Sequence, residues 1–230
     1  MSDMTPTRQN RIAVVGRTGS GKTDFSVWLL GVLKQDSWAG MPITIFDFKR
    51  AKRLRELGAK EISLYKKPPK EPGLYIVRPY PVDDNQAVID YLKAVYDQTN
   101  HGLYFDEAYE LGARNTGFRR LLTQGRELNI PMIYCMQRPT FCDVYSLSEA
   151  DYFALFKLRI EDDKDKIENL CPDYNSDALA QYQSFWYSVP RDKGVILDPI
   201  PLGDIPKLYR SKPQGAEGQP LSNGVKRVML

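Results

Sequence analysis

Apolar positions in this chain fall into short continuous runs separated by longer stretches with helical spacing. "RIAVV" (11–15), "ITIFDF" (43–48), "LYIVRP" (74–79), "GLYFDE" (102–107), "IPMIYCMQ" (130–137) and "YFALFKLRI" (152–160) each predict a strand. Phe25, Trp28, Leu29 and Val32 share a helical face over 22–34, as do Val88, Tyr91, Leu92 and Val95 over 84–98. A charged helix near 50–58 and another over 117–128 complete the alternation. Strands alternating with helices predict an α/β fold with a mostly parallel central sheet covered on both faces. "QSFWYSVP" and "KGVILDPI" predict a C-terminal hairpin, antiparallel at the sheet edge.

Between the first strand and its helix lies "GRTGSGKT", residues 16–23, the eight-residue pattern of a phosphate loop in its required strand-to-helix setting. Gly16, Gly19 and Gly21 let the backbone turn its N–H groups inward past Arg17, Thr18 and Ser20, and the following helix adds its positive end. Lys22 is expected on the β and γ phosphates of ATP and the Thr23 hydroxyl on Mg²⁺. The pattern speaks for nucleotide binding, while hydrolysis needs a second set of residues.

"GLYFDEAYE" supplies a candidate set: an apolar strand delivers Asp106 and Glu107 at its carboxyl end, the edge where ligands sit in open α/β sheets. Asp106 is the candidate metal carboxylate and Glu107 the candidate general base. Asp47, at the end of "ITIF", competes with Asp106, but lacks an acidic neighbour. Further on, a predicted helix carries Arg119, Arg120 and Arg126, and the next strand ends in Gln137 and Arg138. An amide at that strand end is placed to sense the γ-phosphate, and an arginine reaching a neighbouring subunit's nucleotide accelerates transfer by about 10³- to 10⁵-fold.

"GRTGSGKT", "DFK" (47–49), "LYFDEA" and above all "QGRELNIPMIYCMQRPT" together resemble the FtsK/HerA superfamily of P-loop ATPases, over roughly residues 11–170. Within it the chain resembles the DNA-packaging ATPases of double-stranded DNA viruses with an internal membrane, and of related phages. The resemblance implies a RecA-like P-loop fold and ATP hydrolysis with Mg²⁺. It assigns Asp106 and Glu107 as metal carboxylate and base, Gln137 as sensor, and Arg126 as the finger acting across a subunit boundary, with Arg119 as second choice. It also implies a homo-hexameric ring threading double-stranded DNA, with capsid or packaging-vertex proteins as partners, in the host cytoplasm or at the virion vertex. A zonula-occludens-toxin-like assembly ATPase and a nucleotide-gated interaction module are the alternatives. No winged-helix reader or separate barrel domain is apparent, so contact with DNA is expected through the backbone rather than the bases.

Composition adds limits. At 230 residues, 42% hydrophobic and 27% charged, the chain fits one globular domain, expected over 1–204. Residues 205–230 carry five basic side chains against Glu217 and are rich in Pro, Gly and Ser, which predicts an extended or flexible tail. Basic clusters at "KRAKRLR" (49–55) and "YKKPPK" (65–70) are candidates for phosphate contact. Three cysteines without CxxC spacing indicate neither a disulfide framework nor a zinc site and fit a reducing compartment. No apolar run approaches the roughly 18–20 residues needed to span a bilayer, so a soluble intracellular protein is expected. His101, the single histidine, is expected to be structural.

Overall fold

Six of the nine strands among the described residues are buried at every position, as continuous apolar runs require when helices cover both faces of a sheet. The computed structural model describes residues 4–81, 83–112 and 115–210. In chain order the elements are β1 (Arg11–Val15), α1 (Lys22–Gln35), β2 (Pro42–Phe46), α2 (Lys52–Arg55), β3 (Lys60–Glu61), β4 (Gly73–Val77), α3 (Asn85–Gln98) and β5 (Gly102–Phe105). They continue with α4 (Thr116–Gln124), β6 (Met132–Met136), α5 (Val144–Ser148), β7 (Tyr152–Phe156), α6 (Glu161–Glu168), β8 (Ser184–Ser188), β9 (Lys193–Leu197) and α7 (Ile205–Arg210).

All nine strands form one sheet in the order β3-β4-β2-β5-β6-β1-β7-β8-β9. Pairing is parallel from β3 through β7. β8 and β9 close the far side as the expected antiparallel hairpin, with Tyr152 opposite Ser188 and Ser184 opposite Leu197. One core lies under α3, α4 and α6, where Val88, Tyr91, Leu92, Phe118, Leu121 and Ile167 meet Val15, Phe46 and Phe105. The other lies under α1, α2 and α7, where Phe25, Trp28, Leu29, Leu54 and Leu208 meet Ile12, Val14, Ile45 and Tyr104.

Strand order positions the site. β6 lies between β1 and β5, with Val15 level with Met136 and Phe105 level with Tyr134. Gly16 and Gln137 therefore emerge level with each other at the carboxyl edge, and Asp106, level with Cys135, leaves β5 on the far side of β6 two residues earlier. Asp47 emerges beside Asp106, because Phe46 is level with Phe105.

Three sequence expectations change. The stretch expected as tail from residue 205 opens on a helix, since Ile205–Arg210 forms α7 with Ile205 and Leu208 buried. This helix packs closely on α1: a Cβ on Gly31 would stand 2.9 Å from Leu208 Cβ, and the Tyr209 hydroxyl donates to Val27 O at 2.6 Å. Residues 211–230, the rest of the expected tail, lie outside the described residues. The helix near 50–58 contracts to one turn that ends ahead of Gly58, whose φ is +68°. The helix over 117–128 starts at Thr116, with Asn115 capping Phe118 N–H, and stops at Gly125. Ile130 N–H closes a loop on Gly125 O at 3.0 Å, with Asn129 at φ +52°, so Arg126 sits in that loop rather than on the helix.

Candidate active site

The phosphate loop leaves β1 at Gly16, which is packed so closely that an added Cβ would meet Phe156 Cβ at 2.6 Å and Ser20 Oγ at 2.8 Å. Gly19 and Gly21 take φ values of +75° and +99°, the left-handed region that favours glycine. Gly21 is also the N-cap of α1, so the loop passes into the helix's positive end. This end has acidic Asp24 in its first turn, held by Arg53 Nε at 2.7 Å.

Lys22 is buried, and its ammonium donates to Arg17 O at 3.0 Å. Burial lowers its pKa, opposed by the nearby anionic groups Glu107 and Asp106. The Thr23 hydroxyl donates to Asp106 Oδ1 at 3.0 Å, and the Tyr104 hydroxyl donates to the same oxygen at 2.8 Å. Burial raises the Asp106 pKa, although both of those donors oppose the shift. Each group is thus a buried charge short of counter-charge: Lys22 gains from an anion, Asp106 from a cation. Beneath them Cys135 is fully buried against Ser26 Oγ at 3.1 Å, and burial pushes its thiol up to about 12, which leaves it unreactive.

Glu107 lies one residue further out, also buried. Its Oε1 accepts from Gln137 Nε2 at 2.6 Å and pairs with Lys49 Nζ, while Oε2 is buried without a hydrogen-bond partner among the described residues. The other end of the Gln137 amide accepts from Thr18 Oγ1 at 2.8 Å. One amide therefore links the phosphate loop to the acid of β5. Ser20 Oγ, inside the loop, is another buried polar atom without a partner among the described residues. Unpaired buried polar groups are costly in a folded protein, and two of the four such atoms among the described residues, Ser20 Oγ and Glu107 Oε2, lie at this loop, where a ligand and its waters would satisfy them.

The structure thus brings together Gly16, Arg17, Thr18, Gly19, Ser20, Gly21, Lys22, Thr23, Asp106, Glu107 and Gln137, all anticipated from sequence. Asp47 is otherwise engaged: its carboxylate accepts from Ala51 N at 2.9 Å and Arg78 Nε at 3.3 Å. The two candidate finger arginines lie apart from this cluster. Arg126 pairs with the buried Asp151, which accepts from Arg11 N–H at 2.8 Å where β1 begins, on the opposite edge of the sheet. Arg119 pairs with Asp143 at 2.6 Å and stacks over Tyr145 at 4.9 Å. Arg138, next to Gln137, is drawn away by the buried Asp163 at 2.6 Å.

Sequence reasoning leaves Lys49 and Tyr104 out of the site. Tyr104 is accessible to it, since residues two apart on a strand share a face and Asp106 follows by two. Lys49 is not, because its reach to Glu107 depends on β2 and β5 being neighbours.

No family model matches the chain. It is 33% identical over 217 residues to the DNA packaging ATPase P9 of Enterobacteria phage PRD1, covering 89% of this chain and 93% of P9. Among solved structures, the genome packaging NTPase B204 of Sulfolobus turreted icosahedral virus 2, in complex with sulfate, superposes with a TM-score of 0.66 at 20% identity. That match covers 84% of this chain and 98% of B204. The N-terminal domain of zonular occludens toxin from Neisseria meningitidis superposes at 0.51 with 12% identity, over 87% of this chain and 98% of that one. Both structural likenesses concern the fold. Given the identity with P9 over nearly the whole of both sequences, this chain belongs to the family of viral DNA-packaging ATPases.

Proposed function

We propose that this chain is an ATP-driven translocase that packages double-stranded viral DNA into a capsid, hydrolysing ATP at the subunit boundaries of a homo-hexameric ring. The observation that carries the hydrolytic part is the Thr18–Gln137–Glu107 chain, which leaves one buried Glu107 oxygen free. That oxygen is available to take a proton from an attacking water, the task of a general base. Lys49 and Gln137 hold the other oxygen and so fix the direction of the free one. A γ-phosphate competing for the Thr18 or Gln137 hydrogen bonds alters the restraint on Glu107, which suits Gln137 to a sensor.

The loop amides and Lys22 bind the triphosphate, giving the buried ammonium the anion it lacks. The Thr23 hydroxyl and Asp106 carboxylate are hard oxygen donors that fit Mg²⁺ alongside phosphate oxygens, with Tyr104 orienting the carboxylate. When bound, the ion neutralises charge developing on the phosphate oxygens. Arg126, or failing it Arg119, extends to a neighbour's nucleotide. Both are about half exposed in the single chain, at 49% and 43%.

Residues 49–70 support the DNA part. They carry nine basic side chains against two acidic ones, net +7 in a chain whose total formal charge is +3. Arg50 stacks over Tyr80 at 5.0 Å, and the Tyr65 hydroxyl and Tyr80 N–H both donate to Asp84. Those contacts join the two basic clusters at one side of the sheet, where Lys52, Lys66 and Lys67 are exposed and pair with no carboxylate among the described residues. Among those residues no helix is long and apolar enough to cross a membrane. Capsid or packaging-vertex proteins are the further partners, and the host cytoplasm and virion vertex the place of action.

The test is ATP turnover by purified protein with and without duplex DNA. Lys22→Ala is expected to abolish nucleotide binding. Glu107→Gln is expected to retain nucleotide and lose turnover by about 10²- to 10⁴-fold. Neutralising Lys66 and Lys67 is expected to lower the salt slope of duplex binding by about one for each DNA phosphate that these lysines neutralise. Turnover that duplex DNA of any length leaves unchanged would refute the translocase reading.

A further inference from the structure

The site described so far leaves the nucleoside end of the ligand without a partner, and the geometry points to Tyr182 as the platform on which the base stacks. This inference rests on the proposed nucleotide site and goes beyond it. The groups suited to the γ-phosphate and its metal, Asp106, Glu107 and Gln137, all stand on the β5–β6 side of the phosphate loop. A triphosphate is a linear chain, so with its γ end there, its sugar and base leave on the other side, towards β7 and β8.

Two aromatic rings border the loop on that side. The position a Cβ would take on Gly21 lies 3.4 Å from Tyr182 Cδ1 and 3.6 Å from Phe156 Cε1. Phe156 is buried, whereas Tyr182 is 50% exposed. Tyr182 makes no hydrogen bond, ion pair or ring contact among the described residues. Its backbone is unusual as well. Gln183 N–H donates to Ala180 O at 3.2 Å, closing a four-residue turn with Tyr182 third, at φ +65°. That position ordinarily takes glycine or asparagine, and a bulky residue there is strained. A strained, half-exposed ring without protein partners, standing against the N-cap of the phosphate-loop helix, is accounted for by a flat ligand that covers it. Stacking reads the face of a base and not its edge, so the platform accepts adenine and guanine alike.

The discriminating variant is Tyr182→Gly, which removes the ring while favouring the turn's own backbone conformation. Calorimetry with Mg²⁺ would compare a non-hydrolysable ATP analogue, its GTP counterpart and inorganic tripolyphosphate. Loss of one stacked base is expected to weaken both nucleotides by about 5- to 150-fold and leave tripolyphosphate unchanged, with Tyr182→Trp close to wild type. Wild-type nucleotide affinity in Tyr182→Gly would overturn the assignment, as would an equal loss for tripolyphosphate, which would make the residue a support for the loop. If the unaltered protein bound neither nucleotide nor tripolyphosphate, the nucleotide site itself would fall, and the platform with it.

Discussion

Gly16 is the position where the fold and the phosphate site depend most directly on a single missing atom. In Gly16→Ala the new Cβ would lie 2.6 Å from Phe156 Cβ and 2.8 Å from Ser20 Oγ. Non-bonded carbons prefer about 3.5–4.0 Å, so the first contact is roughly 1 Å too close. The Ser20 hydroxyl, which has no hydrogen-bond partner among the described residues, can rotate aside. Phe156 Cβ cannot, because it belongs to the backbone-proximal part of a central strand paired on both sides near this point, Leu155 with Val15 and Phe156 with Ser184. The loop must therefore move. Overpacking of this kind costs about 1–3 kcal/mol, and at about 2–4 °C per kcal/mol in a chain of this size the melting temperature falls by about 2–12 °C. The functional loss is expected to be larger in proportion, because a displacement near 1 Å in a phosphate-positioning element costs about 100-fold in turnover. Gly19→Ala is the control: φ there is +75° but no atom lies within 4 Å of the added Cβ, so only the conformational penalty of about 1–2 kcal/mol applies. Steady-state ATP turnover and thermal melting of both variants decide the matter. Gly16→Ala with wild-type turnover would refute the argument that close packing against β7 sets the loop's position.

Three further outcomes are expected. Lys49→Ala removes one of the two groups on Glu107 Oε1, so kcat should fall by about 10- to 100-fold with the KM for ATP little changed and Lys49→Arg largely restored; a shift in KM alone would contradict this. Asp163 accepts from Arg138 Nε at 2.6 Å, Thr140 Oγ1 at 2.7 Å and Thr140 N at 3.1 Å, and Asp163→Ala should destabilise by about 2–3 kcal/mol in denaturant titration, since the partly exposed Arg138 can still reach water. His101 is fully buried, its Nε2 2.8 Å from Thr44 Oγ1, and burial pushes its pKa down to about 4. The unfolded chain takes up this proton near pH 6.5, so stability should fall as pH drops from about 6.5 to 4, by at most about 3 kcal/mol for this one group. Stability curves for wild type and His101→Gln that stay parallel across that interval would refute the assignment.

Much of the fold is legible because its signal is local. β1, β5, β6 and β7 are continuous apolar runs, and α1 and α3 carry their buried residues at helical spacing. The two-residue β3 and the polar helix α6, with only Asp163 and Ile167 buried, carry no such periodicity. α7 reads as tail because residues 205–230 taken together are basic and rich in Pro, Gly and Ser. It is ordered by Ile205 and Leu208 entering the core beside Gly31, a contact between residues more than 170 positions apart.

The candidate site divides in the same way. The sequence alone determined the phosphate loop, because glycine spacing, a lysine and a threonine within eight residues are a local code for backbone shape and charge. It also placed acids and an amide at three strand ends. Only the tertiary structure decided which of those ends are neighbours: inserting β6 between β1 and β5 puts Gln137 between Thr18 and Glu107, while placing β2 between β4 and β5 sends Asp47 to Arg78 and draws Lys49 to Glu107. It also separated Arg126 from the loop by the height of the sheet and set Tyr182 beside Gly21. Strand order is the physical reason, since hydrogen-bonded pairing brings together ends that are about 30 to 120 residues apart, and no short-range pattern in the chain records that choice.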